Sequence, residues 1–272
     1  MKVIHRVSTV VLCAITAVTP LRAQADTISP RPFFTWRDVA IIEAFAIATV
    51  AVAPLDRKWA NRLQDSTVQE NRAMKEVAKF VETVADPGSV IIGVGMYAYG
   101  RITKNRRAAD LGLHGTEALI IGAELGNLLK GAAGRARPYV NVDQPHDYQL
   151  FRGFHGGNAY RSFPSGHTIA AFAAASSVTS ETKIWWPKSV WFMGPTMYGG
   201  AALVGWSRMF HNRHWASDVI TGAAIGTFSG LKVVHWHHTH PHNRIDRIFL
   251  GASVSPQPND GALLRLHFSP PF

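Results

Sequence analysis

The residues able to do chemistry fall into three short blocks. KGAAGRARP (130–138) supplies Lys130 and Arg137, PSGH (164–167) supplies Ser165, Gly166 and His167, and SRMFHNRHWASD (207–218) supplies Arg208, His214 and Asp218. Lys130, Arg137 and Arg208 are three fixed cations suited to an anion whose oxygens gain charge as a bond breaks. Arginine offers a planar fork and lysine a point charge. Ser165 and Gly166 stand directly before the run TIAAFAAAS. They therefore open a predicted helix, with proline fixing the entry and serine capping, and the unpaired amides and dipole of the first turn favour an anion. Gly166 has no side chain to hold the backbone away.

His214 and Asp218 are four residues apart, which on a helix puts them on one face. The carboxylate can then accept from one imidazole nitrogen, fix the tautomer and leave the other nitrogen free to attack a phosphorus atom. His167, on a facing helix, is placed to protonate the leaving oxygen. Two histidines in two protonation states predict a bell-shaped pH dependence.

These residues need helices to bring them together. Beyond the N-terminus six apolar segments follow one another: 38–55, 88–100, 111–129, 167–178, 190–206 and 217–234. Most are too long for strands and few alternate, so the expected fold is all-α, a six-helix bundle. Pro54, Asp86-Pro87-Gly88, the loop after Lys130, Pro187 and Pro241 separate them. In an antiparallel up-and-down bundle the ends of the third and fifth helices and the starts of the fourth and sixth share one side. That is where the three blocks fall. Gly222, Gly226 and Gly230 recur every four residues and predict a stripe against which another helix packs closely. The polar stretch 56–79 reads as an amphipathic connector lying across the bundle. After residue 243, alternation around Pro-Asn-Asp-Gly suggests a β-hairpin.

The three blocks closely resemble the signature motifs of the type 2 phosphatidic acid phosphatase (PAP2) superfamily, which also holds class A acid phosphatases and vanadium haloperoxidases. Lysine and Arg-Pro across six residues, Pro-Ser-Gly-His, and Ser-Arg, five residues, His, three residues, Asp are all filled. The resemblance covers about 90 residues directly. It implies metal-independent phosphoester hydrolysis through a phosphohistidine at His214. Lys130, Arg137, Ser165, Gly166 and Arg208 would hold the phosphate, His167 would act as acid, and Asp218 would orient His214. No cofactor is expected, and vanadate should bind as a phosphate mimic. Taken singly, a basic residue at a helix end commonly caps carbonyls and a helical His/Asp pair is commonly a surface contact. The ordered set carries the reading.

Composition bounds the rest. The first 25 residues have a basic start, an apolar run and an Ala-Gln-Ala site, the layout of a signal peptide or an uncleaved anchor. The domain plan is thus 1–25 signal, 26–242 helical phosphatase domain and 243–272 tail. The one cysteine, Cys13, lies inside the apolar run, leaving the remainder without a thiol or a disulfide. The net charge of +10 becomes +7 without Lys2, Arg6 and Arg22, a balance suited to anionic lipid or phosphorylated substrates. No Lys/Arg run resembles a nucleic-acid arm, so no nucleic-acid partner is expected.

Two surroundings fit: membrane spans of nearly 20 residues, or a soluble periplasmic bundle, for which Glu43, Glu117 and Glu124 inside apolar segments argue. The expected location is a bacterial envelope, either the inner membrane with the pocket toward the periplasm or the periplasm itself. Six spans after a cleaved signal would put Lys130 in the cytoplasm, whereas the basic loop RITKNRR argues for the opposite side. The leading expectation is a phosphatase of a lipid substrate: phosphatidate, a prenyl diphosphate or a lipid A phosphate. The alternatives are a broad-specificity acid phosphatase acting on small phosphoesters and a vanadium haloperoxidase. In the run 235–242, His235, His238 and His242 would fall about one helical turn apart and could bind a transition metal, although Pro241 argues against a regular helix; a structural or surface role is the other reading. His155 and His211 lie near the blocks and could line an entrance, and His146 and Asp147 sit in a loop of the kind that sets substrate recognition.

Overall fold

The computed structural model describes residues 32–240, 243–256 and 264–268. In chain order the helices are α1 (Trp36–Val52), α2 (Asp56–Leu63), α3 (Ser66–Gln69), α4 (Arg72–Thr83), α5 (Ser89–Ile102), α6 (Arg106–Ala133), α7 (Arg152–His155), α8 (Gly166–Trp185), α9 (Val190–Phe210), α10 (Ala216–Thr239) and α11 (Arg244–Phe249). The six apolar segments are α1, α5, α6, α8, α9 and α10. The N-terminal signal and its cleavage site lie outside the described residues.

Local chemistry sets the boundaries. Asn105 accepts from the Ala108 amide at 3.2 Å to start α6, and Asn71 accepts from the Met74 amide at 3.1 Å to start α4. Gly134 ends α6 in the left-handed conformation (φ 55°), and its neighbours leave no room for a side chain: a Cβ there would stand 2.1 Å from the Gln149 carbonyl oxygen. This fixes Lys130 in the last turn.

The packing is between small residues. The predicted stripe on α10 meets α8 directly: Cβ atoms at Gly222, Gly226 and Gly230 would stand 2.7 Å from Ser165 O, 2.3 Å from Ile169 O and 2.6 Å from Ser176 Cβ. A side chain there would force the two helices apart. Ala118, Leu119, Ala173 and Val233 close the core between α6, α8 and α10. Ala171, Ala175, Ala201 and Val204 do so between α8 and α9, with Ala85 from the turn after α4 packed against them.

Two expectations are corrected. The connector 56–79 is three helices and not one, broken where Asp65 and Asn71 cap new starts, and α4 runs on to residue 83 and brings acidic groups to the bundle end. In the tail, RIDRIF forms α11 because Asn243 accepts from the Asp246 amide at 2.8 Å. The hairpin follows it: β1 (Ala252–Pro256) pairs antiparallel with β2 (Leu264–Phe268), Val254 opposite Leu266.

Large apolar side chains stand exposed on several outer helix faces: Ile47 and Val50 on α1, Ile91 and Ile92 on α5, Leu128 on α6, and Trp191 and Phe192 on α9. Among the described residues one stretch, Trp36–Leu63, is long and apolar enough to cross a membrane by length and composition.

Candidate active site

The C-terminal ends of α6 and α9 and the N-terminal ends of α8 and α10 meet at one side of the bundle. They enclose a cavity of about 500 Å³ lined by Lys130, Arg137, Gly166, His167, Arg208 and His214. Six of the eight expected site residues therefore converge on one space. Ser165 and Asp218 lie behind its wall, each wholly buried.

His214 precedes α10 and does not lie on it, which departs from the expected one-face pairing with Asp218. Its Nδ1 is 2.7 Å from the Ser162 carbonyl oxygen and 3.6 Å from Asp218 Oδ2. Nδ1–H thus donates to the backbone carbonyl, which leaves Nε2 with the free lone pair. The carboxylate acts one step removed: Asp218 Oδ2 accepts from Ser162 Oγ at 2.5 Å and from the Trp215 amide at 3.0 Å, holding both neighbours of the imidazole. Burial pulls the His214 pKa down to about 3, with nearby Lys130 adding to the effect against Asp218. The imidazole is neutral, the form a nucleophile requires.

The first turn of α8 departs from simple capping. Ser165 makes no side-chain cap bond; its Oγ accepts from Thr168 Oγ1 at 2.8 Å and its amide donates to the Asp218 carbonyl at 3.1 Å. The serine is thereby spent on fixing the turn. Amides from Gly166 onward are left for an anion. A Cβ at Gly166 would project toward Lys130, 3.6 Å from its Nζ, into the space between ammonium and helix start.

The cations are held from behind. Lys130 Nζ donates to the Pro164 carbonyl. Arg137 donates from Nε to the Asn158 carbonyl at 2.8 Å and from one terminal nitrogen to Asn158 Oδ1 at 2.9 Å. Burial, with Arg208 and Arg213 nearby, holds the Arg137 pKa below its ordinary value. Crowded cations of this kind are stabilised by an incoming anion.

Three participants carried no motif signal. Arg135, 1% exposed, donates to Asp218 Oδ1 at 2.5 Å, Ser217 Oγ at 2.8 Å and Asp56 Oδ2 at 2.7 Å. Although burial opposes it, the Asp218 and Asp56 carboxylates raise its pKa. Arg135 sits inside the first block, where it read as a spacer. Glu82 on α4 pairs with Arg208 and accepts from His211 Nδ1 at 2.7 Å. Glu82 and Asp86 each stand 3.8 Å from His167 Nε2. The sole sequence sign of these acids was their place near the Asp-Pro-Gly break. Of the secondary candidates, Asp147 is tied to Arg152 at 2.9 Å, and His211 is committed to Glu82.

A second cavity of about 350 Å³ adjoins the first. Its walls are almost wholly apolar, among them Val84, Met96, Ala174, Met197 and Val204, and it shares Ala85, Ser89 and Leu119 with the cationic cavity.

Comparison with known proteins agrees with this geometry. Residues 113–241 match the PAP2 superfamily model. A lipid A 1-phosphatase of Rhizobium johnstonii is 39% identical over 112 residues, 39% of this chain and 40% of that protein. One from Porphyromonas gingivalis is 45% identical over 74 residues, 27% of this chain and 16% of that protein. The chain thus spans less than half the length of these two relatives. The crystal structure of a transmembrane PAP2 type phosphatidylglycerolphosphate phosphatase from Bacillus subtilis superposes with a TM-score of 0.55 at 21% identity, covering 77% of this chain and 99% of that one, a likeness of fold. The three blocks are filled, their residues gather at one bundle end, and the region that matches the PAP2 superfamily model, residues 113–241, spans all of them.

Proposed function

We propose that the protein hydrolyses a phosphate monoester or diphosphate carried by a lipid, through a phosphohistidine on His214. Nε2 attacks phosphorus, the bond to the leaving oxygen breaks, and His167 gives that oxygen its proton. Water then attacks the phosphohistidine, His167 takes the proton, and the P–N bond opens to release orthophosphate. Lys130, Arg137, Arg208 and the amides from Gly166 hold the phosphoryl oxygens, so the charge at phosphorus is met by the chain's own groups. Ser165 sets the turn that presents those amides. Asp218, tied to Arg135, orients His214 through Ser162 and Trp215.

The observation that carries the lipid reading is the apolar cavity sharing Ala85, Ser89 and Leu119 with the phosphate pocket. A polar leaving group would gain nothing from such a wall, whereas a hydrocarbon chain buries about 25 cal/mol per Å² against it. The exposed apolar faces of α1, α5, α6 and α9 suit a protein embedded in a membrane, with the pocket toward the periplasm. A lipid A phosphate, the substrate named for both relatives, joins phosphatidate and prenyl diphosphates as the substrate class.

A second reading, a soluble acid phosphatase of broad range, draws on Glu43 and Glu124, both exposed on otherwise apolar helices. The separating experiment is fractionation of expressing cells, with each fraction assayed on phosphatidate, a lipid A phosphate and p-nitrophenyl phosphate. Membrane-bound activity with kcat/KM at least about tenfold higher on a lipid is expected. Soluble activity without lipid preference would overturn the lipid assignment in favour of the second reading.

A further inference from the structure

At the end of the bundle away from the phosphate pocket, four elements bring titratable side chains into one cluster, buried except for His238. His114 comes from α6, Glu181 from α8, His237 and His238 from α10, and Asp246 from α11. His114 and His237 are each 2% exposed and Asp246 6%, and the two rings stack with centroids 3.9 Å apart. We propose that His114 Nε2, His237 Nδ1 and Asp246 Oδ1 form a binding site for one divalent transition ion of the zinc type.

The hydrogen bonds around the cluster are those of metal ligands. His114 Nδ1 lies 2.5 Å from Glu181 Oε1 and His237 Nε2 lies 2.7 Å from Glu117 Oε2. Each imidazole therefore gives one N–H to a glutamate and turns its other nitrogen toward Asp246, the carboxylate–histidine arrangement that orients histidines on a metal. Those inner nitrogens stand 3.6 Å (His114 Nε2) and 2.6 Å (His237 Nδ1) from the same Asp246 Oδ1. The three donor atoms all lie within 4.8 Å of one another. Ligands on one tetrahedral zinc are about 3.3 Å apart for bonds near 2.0 Å, so the His114–Asp246 spacing is close to that of a bound ion, while His237 must move off Asp246 and the two stacked rings must turn out of parallel for both in-plane lone pairs to meet one ion. Asn243 Nδ2 donates to Asp246 Oδ2 at 2.6 Å and fixes the carboxylate.

Two polar atoms here make no hydrogen bond. His114 Nε2 and Asp110 Oδ1 are both buried without a partner, and Asp110 lies one turn before His114 on α6. Hydrogen bonding within the cluster leaves them unsatisfied; an ion takes up the first directly and offsets the charge of the second. Two imidazoles and a carboxylate are a borderline-soft donor set that favours zinc over calcium or magnesium. The donors also differ from the expected metal trio of His235, His238 and His242. His237, the histidine that trio omitted, is the buried one, and His242 lies outside the described residues.

The test uses the untagged full chain, purified in detergent, treated with EDTA and titrated with Co²⁺ while its visible absorption is followed. One equivalent should bind with the strong bands of a low-coordinate cobalt site, and Zn²⁺ should displace it. His114→Gln and Asp246→Asn should each abolish the bands, and Glu117→Gln should weaken binding about tenfold at unchanged stoichiometry. His214→Ala should bind cobalt as the unmodified protein does. Absence of stoichiometric binding in the unmodified protein would overturn the proposal, as would bands persisting in both His114→Gln and Asp246→Asn or bands lost in His214→Ala.

Discussion

The two ends of the bundle use the same helices for opposite electrostatic purposes. At one end α6 closes on Lys130, α9 on Arg208, and α8 and α10 open with their amides inward, so positive charge accumulates around a cavity of about 500 Å³. At the other end α6, α8 and α11 contribute Glu117, Glu181 and Asp246, each bonded to a histidine. The cationic end leaves its cations facing empty space and so invites an anionic ligand. The histidine end pairs its imidazoles with carboxylates from neighbouring helices and turns two of them toward Asp246, the donor set proposed above for a cation. The two ends differ in the sign of the ligand their side chains suit.

The sharpest way to break this contrast is to remove the nucleophile. His214→Ala should cut hydrolysis by a factor of about 10⁴ or more, with the melting temperature kept within a few degrees; a rate within tenfold of the unmodified enzyme would dissolve the assignment. Next in size is the buried cation that the fold pairs with two carboxylates behind the active end. Arg135→Leu strands the buried Asp56 and Asp218 carboxylates and should cost about 3–5 kcal/mol of stability, read by denaturant unfolding in detergent, with kcat falling as Asp218 loses its anchor. Arg208→Ala removes a cation that faces the cavity. Its rate should fall about 10²–10³-fold with a smaller loss of stability than Arg135→Leu, because Glu82, left without Arg208, still bonds His211; a large stability loss with the rate kept would show that Arg208 serves the fold and not the reaction.

A smaller effect comes from pH. The folded His214 holds its proton only below about pH 3, whereas the unfolded chain takes one up near pH 6.5. Between these values the unfolded state binds more protons, so the folded protein loses about 1.4 kcal/mol per pH unit as pH falls. Melts at pH 7, 6, 5 and 4 should show an acid slope that is shallower in His214→Gln. The same shift keeps the free nucleophile neutral well into acid. The acid limb of kcat/KM expected from two histidines near neutrality should therefore not come from His214. The smallest effect concerns the apolar cavity. Ala174→Phe should raise KM for a long-chain lipid phosphate about tenfold and change kcat/KM for p-nitrophenyl phosphate less than about twofold; equal losses on both would show that the cavity packs the core and does not hold the substrate.

Much of the site was legible before any coordinates. Lys130, Arg137, His167, Arg208 and His214 sit at helix ends that an antiparallel bundle must bring to one side, because apolar segments of similar length joined by breakers leave few alternatives. The glycine stripe of α10 announced the α8 contact for an equally local reason: a four-residue repeat is a helix face. The roles that proved different turned on a single turn of chain. The four-residue spacing puts His214 on the helix, yet α10 begins two residues later, so Nδ1 donates to the Ser162 carbonyl and not to Asp218. Ser165 has the place of a cap, but its hydroxyl accepts from Thr168 and its amide donates to the Asp218 carbonyl.

The sequence by itself determined the helical register and the placement of the three motif blocks around helix ends, since these follow from spacing along the chain. Tertiary structure alone decided the partners of Arg135, Arg208, His114 and His237. Asp56 lies 79 residues before Arg135, Glu82 lies 126 before Arg208, Glu181 lies 67 after His114, and Glu117 lies 120 before His237. A charge so far along the chain leaves no mark on local periodicity. Which acid meets which base is set by how closely small residues let the helices approach, and that distance exists only once they are packed.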